Sequence, residues 1–257
     1  MKLITSRDNA LYKELKHLAT SAQARRKAAT TLLDGVHLCQ VYLDNVGQPV
    51  WCVVNETSQH HPEIAQLVRR AQKLLVLADS LYQSLSQVEH GVGIFFVVQI
   101  PELHAPTQIL ESAVLLENLQ DPGNLGSLLR SAAAAGIKKV FCSSQTVSAW
   151  SPKVLRAGMG AHFLMEIHEQ SDLVSLLINS RLPALATSSY ARQTIYECDL
   201  SKDVIWLFGH EGQGISDELM ERASIQVKIP HLGNIESLNV AACAAVCFFE
   251  QVRQSSD

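Results

Sequence analysis

From Ala113 onward the chain alternates short apolar runs with helical stretches, and this rhythm restricts the fold more than any other feature of the sequence. Residues 114–116, 139–142, 163–167, 184–187, 204–208 and 225–229 are read as strands. Strand, helix, strand, helix is the pattern of a largely parallel sheet with helices on its faces. The expected fold class is therefore α/β. In such sheets ligands collect at the carboxyl ends of the strands, so the loops after Leu116, Thr187, Phe208 and Ile229 are the ones to inspect.

The first hundred residues read as a smaller α/β unit. Helices are expected over residues 9–18, 22–27, 35–43 and 62–71, and strands over 31–33, 50–54, 74–77 and 92–98. The last of these is β-branched and aromatic enough to be buried on both faces. Residues 101–107 hold two prolines and show no periodicity, which places a boundary there. Domains are expected at 1–100 and 112–257, joined by a linker at 101–111.

Charge is distributed unevenly. The net charge is −4, yet residues 1–33 carry Lys2, Arg7, Lys13, Lys16, Arg25, Arg26 and Lys27 against Asp8 and Glu14, a local +5. A basic arm on an acidic body points to a polyanion contact confined to one end; the plain alternative is a solvated helix face. The overall balance excludes a protein that coats nucleic acid indiscriminately. Cys39, Cys52, Cys142, Cys198, Cys243 and Cys247 include no Cys-x-x-Cys pair and sit mostly in apolar segments. They are expected to be reduced core residues, not metal ligands. No apolar run reaches the roughly 20 residues of a membrane helix, and residues 1–18 are too charged for a secretory signal. A cytoplasmic protein without membrane contact is expected.

Three loops carry the chemistry. The first, Glu117-Asn118-Leu119-Gln120-Asp121-Pro122-Gly123-Asn124-Leu125-Gly126, runs into a helix bearing Arg130. Asp-Pro-Gly is turn chemistry. Arg130, beside Leu128, Leu129, Ala132 and Ala133, is either a salt-bridge partner or a working residue. Neither G-x-G-x-x-G nor G-K-[ST] occurs, which excludes a Rossmann fingerprint and a phosphate loop. The second loop, Gly209-His210-Glu211-Gly212-Gln213-Gly214, has three glycines in six residues, leaving room for a ligand against the main chain. Glu211 there argues for a hydroxyl or cationic partner over a phosphate. The third begins where Pro230 ends a strand, passes Gly233 and Asn234, and enters a helix capped by Asn239 or Ser237. Ala241, Ala242, Ala244 and Ala245 let that helix approach other backbone closely.

Taken together and in order, these loops read N-x5-N-x-G-x3-R, G-x-E-G-x-G and I-P-x6-S-L-N. The set closely resembles the SpoU (TrmH-type) branch of the SPOUT RNA methyltransferases, over about residues 112–252. The N-terminal part is similar to the small ribosomal-protein-like RNA-binding domain often fused ahead of that domain. The matching stretches are Ile4-Thr5-Ser6-Arg7-Asp8-Asn9, Leu32-Leu33-Asp34-Gly35 and His90-Gly91-Val92-Gly93-Ile94. Asp34 stands where the family more often has Glu, His210 where it often has Ser, and Gly158 replaces a frequent Ser.

The resemblance implies methyl transfer from S-adenosylmethionine to a ribose 2′-hydroxyl. It also implies a C-terminal chain tucked through a loop as a trefoil knot, a rare exception to unknotted topology, and a homodimer through the C-terminal domain. Main-chain groups around Thr187, Gly209, Gly212, Ile229 and Leu238 would hold the cofactor. Arg130 would act on the target hydroxyl, as base or as charge stabiliser, with Asn124, Glu211, Ser237 and Asn239 completing the site. RNA would meet Arg7, Arg25, Arg26, Lys27 and Arg156. Ribosomal RNA is ranked ahead of transfer RNA, by analogy in the N-terminal domain. A non-catalytic RNA-binding or assembly protein is the competing reading. It requires a broken motif, whereas Asn124, Arg130, Glu211, Ser237 and Asn239 are all present.

Overall fold

In the computed structural model, which describes residues 2–86 and 93–256, two sheets form the centres of two units. The first unit comprises Met1–Glu102 together with Trp150–Phe163. Its elements are β1 (Lys2–Ile4), α1 (Ala10–Thr20), α2 (Ala22–Ala28), β2 (Thr30–Asp34), α3 (Val36–Asn45), β3 (Trp51–Asn55), α4 (Pro62–Arg70), β4 (Leu74–Leu77), α5 (Asp79–Gln83) and β5 (Ile94–Gln99). The strands lie in the order β1-β4-β3-β5-β2, with β5 antiparallel to both neighbours. Asn9 starts α1 by accepting hydrogen bonds from the Leu11 and Tyr12 N–H groups. Tyr12, Leu15, Leu18 and Ala19, spaced for one helix face, then bury against Val53, Leu75 and Phe95. The strand expected over 92–98 runs Ile94–Gln99; Val92, His90 and Gly91 lie outside the described residues.

The second unit comprises Leu103–Ala149 and Leu164–Asp257. It begins with β6 (Ala113–Leu116), α6 (Pro122–Ala134) and β7 (Lys139–Cys142). The chain then returns to the first unit with α7 (Pro152–Gly158), a segment that the sequence reading assigned to the C-terminal domain. Thr31 donates to the Trp150 carbonyl at 2.7 Å, and the Tyr42 and Phe163 rings meet edge-on at 5.4 Å. β8 (Glu166–His168), α8 (Leu173–Asn179), β9 (Ala184–Thr187), β10 (Gln193–Thr194), β11 (Ile205–Phe208), α9 (Asp217–Arg222), β12 (Ile225–Lys228) and α10 (Val240–Ser255) complete the second unit. The strand expected at 163–167 is thus shorter and later. Met159 and Gly160 both take positive φ and throw the chain into a 3-10 turn over Ala161–Phe163, so Phe163 is spent before β8 begins.

All seven strands of this sheet run parallel, in the order β10-β12-β9-β11-β6-β7-β8. Because side chains alternate along a strand, the sheet has two distinct apolar faces. Leu115, Phe141, Ala186, Ile205 and Leu207 bury with Leu173, Leu176 and Leu177 of α8 and Leu219 of α9. On the other face Trp206 and Phe208 pack edge-on to Phe248 of α10. Gln251 of α10 accepts the Trp206 indole N–H at 2.8 Å and donates to Ser112 at 2.9 Å, so the buried indole is satisfied. Parallel strands bring the loops after β6, β9, β11 and β12 to one carboxyl edge, with neighbouring strands about 4.8 Å apart. Among the described residues no helix is long and apolar enough to cross a membrane.

Candidate active site

The loop after β11 closes on itself. His210 and Gly214 exchange two backbone hydrogen bonds, at 2.9 and 2.8 Å. The His210 Nδ1 accepts from the N–H groups of Gly212 and Gln213, at 2.9 and 3.2 Å. This tight closure explains Gly209, whose hypothetical Cβ would lie 2.2 Å from the backbone of Gly214. The glycine requirement at 209 is thus internal to the loop. Gly212 differs: a Cβ there would meet only the His210 ring, at an ordinary 3.7 Å.

Glu211, at the tip, reaches the loop after β6. Its carboxylate accepts from the N–H groups of Gln120 and Asp121 and from the Asn124 side-chain amide, each at 3.1 Å. Partial burial pushes the Glu211 pKa up, but the Asn124, Asp121 and Gln120 donors outweigh it and hold the carboxyl below its ordinary value. The anchoring is therefore present above the ordinary carboxylate range and is lost as pH falls through the lowered value.

Asn124 is itself positioned by the start of α6. Asp121 is the N-cap, accepting the Asn124 N–H at 2.7 Å, and Pro122 occupies the first turn, where its missing N–H costs nothing. The Asn124 oxygen then accepts from the Asn239 side-chain amide at 2.8 Å. Of the two caps that the sequence left open for α10, the structure takes Asn239: its oxygen accepts from the Ala241 and Ala242 N–H groups. Asn239, Asn124 and Glu211 thus join the three motif loops in one relay.

Arg130 lies exposed on α6, on the side that also carries exposed Gly123 and Ser127. Among the described residues its side chain makes no hydrogen bond or ion pair. The salt-bridge reading fails on the carboxylates nearest in sequence logic. Glu117 accepts the Ser216 N–H at 2.7 Å, and Glu211 is held by its three donors. Ser237 is exposed and joins no recorded bond of the relay. Thr187 is half-buried and donates to the Leu207 carbonyl at 3.1 Å, and Ile229 is half-buried. Leu238 is 37% exposed, an apolar side chain open to solvent beside the cap. His210, notable in the sequence only as a departure from Ser, is the acceptor that shapes the second loop.

Clefts of about 470 and 580 Å³ open at the opposite, amino edge of this sheet, around Pro183, Cys198 and Ile225, and around Ser112, Lys138 and Gln251. Neither contains a residue of the relay, so convergence of side chains, not volume, points to the carboxyl edge as the candidate site. Among the described residues no group of three His, Cys, Asp or Glu side chains is placed to hold a metal.

The basic arm needs one correction. Arg25 is only 4% exposed and donates to the Leu18 carbonyl at 2.8 Å, so it braces α1 against α2 and does not face a polyanion. A charge count along the sequence cannot tell this inward residue from its neighbours. Arg7, Arg26 and Lys27 are exposed, as is Arg156 on α7. Arg25→Ala is expected to lower stability by about 1–3 kcal/mol, because it leaves a buried carbonyl unpaired. Arg26→Ala with Lys27→Ala is expected to spare stability but flatten the salt dependence of any polyanion binding by about 1–2 log units per log unit of salt. Thermal melts and titrations at several salt concentrations check both.

The model of the SpoU rRNA Methylase family matches residues 111–249, which contain all three loops. An uncharacterized tRNA/rRNA methyltransferase of Synechocystis sp. is 33% identical, with 98% of this chain and 93% of that protein covered. The crystal structure of an RNA 2′-O ribose methyltransferase superposes with a TM-score of 0.83 at 28% identity, covering 99% of this chain and all of that one. An AdoMet-bound rRNA methyltransferase from Sinorhizobium meliloti gives a TM-score of 0.80 at 25% identity, over 98% and 97% of the two chains. With the motif loops inside the matched segment and the sheet reproduced in solved relatives, this chain belongs to the SpoU rRNA Methylase family.

Proposed function

We propose that the chain transfers the methyl group of S-adenosylmethionine to a ribose 2′-hydroxyl of structured RNA, with ribosomal RNA the substrate class ahead of transfer RNA. The observation that carries this reading is the Asn239–Asn124–Glu211 relay at the start of α6, the helix that also bears exposed Arg130, unpaired among the described residues. A binding module needs no such arrangement, whereas an RNA methyltransferase needs a held hydroxyl and a free cation. Family membership and the solved relatives support the same chemistry.

The residues fit the cofactor at the carboxyl edge. Gly212 leaves main chain open to close approach, and Ile229 and Leu238 offer apolar surface for an adenine. Thr187 and Gly209 fix the neighbouring strand ends. When bound, S-adenosylmethionine supplies a methyl already electrophilic at its sulfonium. The protein's task is then orientation and help with one proton. Arginine stays charged at neutral pH, which favours Arg130 as the group that grips an adjacent phosphate and stabilises charge on the 2′-oxygen as its proton leaves. Glu211, Asn124 and Asn239 hold the loops around it, and Ser237 is available to the RNA side.

Two further parts of the reading concern assembly. The knotted C-terminal chain is carried by the family resemblance; in this chain the segment over 229–239 is tied to the first turn of α6 through Asn239, and α10 packs on Trp206 and Phe208. Leu232, Ile235, Val246 and Phe249 are exposed along the same segment and helix, which supports a second copy covering them in a homodimer. The first unit, with its exposed basic residues, is the RNA-docking unit, and the protein works in the cytoplasm.

The test is direct. Calorimetry should show S-adenosylmethionine binding without added metal. Incubation with in vitro transcribed ribosomal RNA should yield 2′-O-methylated nucleosides by mass spectrometry. If wild-type protein binds no cofactor at millimolar concentration, the reading is wrong; methylated transfer RNA with unmodified ribosomal RNA would reverse the substrate order.

A further inference from the structure

The loop between β9 and β10 belongs to none of the motif loops, yet it stands among them. Thr187 at the end of β9 and Gln193 at the start of β10 both register on Val227 of β12. The chain therefore crosses from one side of β12 to the other within residues 188–192, beside the start of the 229–239 segment. This crossing is tightly pinned. Ser188 donates its N–H to the Val227 carbonyl at 2.9 Å, and the Ala191 N–H returns to the Ser188 carbonyl at 3.2 Å. The Ser188 hydroxyl accepts the Tyr190 N–H at 3.3 Å, and Ala191 is buried.

On this fixed base Tyr190 is 95% exposed. Arg192, two residues on, is also exposed. Among the described residues the Tyr190 hydroxyl and the Arg192 guanidinium have no hydrogen-bond partner, and the Tyr190 ring meets no other ring. A bare aromatic on a pinned backbone, with an exposed cation two residues on, is the pairing that can receive an unstacked base and its phosphate. We infer that Tyr190 and Arg192 form a stacking platform for an unpaired base of the RNA substrate, next to the nucleotide whose ribose is methylated. Tyr190 is a substrate-positioning residue; the inference rests on the RNA reading above.

The experiment uses the full chain and a fluorescein-labelled 12-nucleotide oligo(A), compared with a 12-nucleotide abasic ribose-phosphate chain, by anisotropy at fixed salt. Wild type should prefer oligo(A). Tyr190→Ala should weaken oligo(A) binding about tenfold and abolish the preference, while Tyr190→Phe keeps both. Arg192→Ala should weaken the two probes equally. Melting temperature, S-adenosylmethionine affinity and sedimentation should not move. Unchanged oligo(A) affinity in Tyr190→Ala, or a wild type blind to the bases, overturns the inference. A change of oligomeric state in Tyr190→Ala overturns it too, because the ring would then be covered by a second copy. Failure of the methyltransferase reading is separate: wild type would then bind no cofactor, whatever it does with oligo(A).

Discussion

Arg130→Ala is expected to lower methyl transfer by about 100- to 1000-fold while leaving Tm and S-adenosylmethionine affinity at wild-type values. The size is that of losing one preorganised donor to developing negative charge. The selectivity follows from where the side chain lies: exposed on α6, with Glu117 and Glu211 committed elsewhere, so removing it strands no buried partner. A contact made chiefly in the transition state lowers the rate without costing ground-state affinity. Arg130→Lys should recover little, since a point charge cannot reproduce a planar fork that engages hydroxyl and phosphate together. Tm, cofactor affinity and turnover measured on the three proteins decide the matter. A parallel fall in all three, rescued by lysine, would mean that Arg130 only holds the loop.

The second large effect separates two glycines that look equivalent in the sequence. Gly209→Ala places a Cβ 2.2 Å from the Gly214 backbone, which no side-chain rotation relieves. The loop must open, taking Glu211 from its three donors. We expect a loss of about 1–3 kcal/mol or more, a Tm lower by roughly 3–10 °C, and cofactor binding weakened beyond tenfold. Gly212→Ala adds a Cβ in ordinary contact with the His210 ring. Its Tm should stay within about 1–2 °C of wild type, as for surface changes that break nothing. If Gly212 lines the cofactor site as proposed, affinity for S-adenosylmethionine should nevertheless fall about tenfold, because the added methyl takes up main-chain space the ligand would use. Thermal melts and calorimetry distinguish the pair. Wild-type affinity in Gly212→Ala would remove this stretch from the cofactor site.

The sequence already carried the parallel sheet and most of its loops. The strands Leu74–Leu77, Lys139–Cys142 and Ala184–Thr187 coincide with the runs read from pattern alone, because short apolar segments between polar turns have few other uses. β1 and β10 escaped notice: two or three residues carry no period, and their pairing with β4 and β12 is a tertiary fact. Phe163 misled because an aromatic beside Leu164 imitates the start of a strand, while the turn made by Met159 and Gly160 depends on backbone angles. In the site, Asn124, Glu211 and Asn239 were legible through their motifs. The inward turn of Arg25, the self-closure behind Gly209 and the bare ring of Tyr190 were not. Each depends on what a residue faces, which spacing does not encode.

The bonds through Asn239 have a sense of direction. Its oxygen is claimed by the Ala241 and Ala242 N–H groups, so its nitrogen is left to face Asn124. Asn124 must then receive with its oxygen and give with its nitrogen, and the Glu211 carboxylate is the terminus that only receives. Every amide dipole in the file points one way, from the start of α10 to the carboxylate, and each link polarises the next. An Asp in place of Asn124 would set an acceptor where the carboxylate requires a donor, and the file would break at its middle. The same orientation makes α10 and the loop after β11 answer to one another electrically: the charge on Glu211 is felt at the first turn of a helix that it never touches.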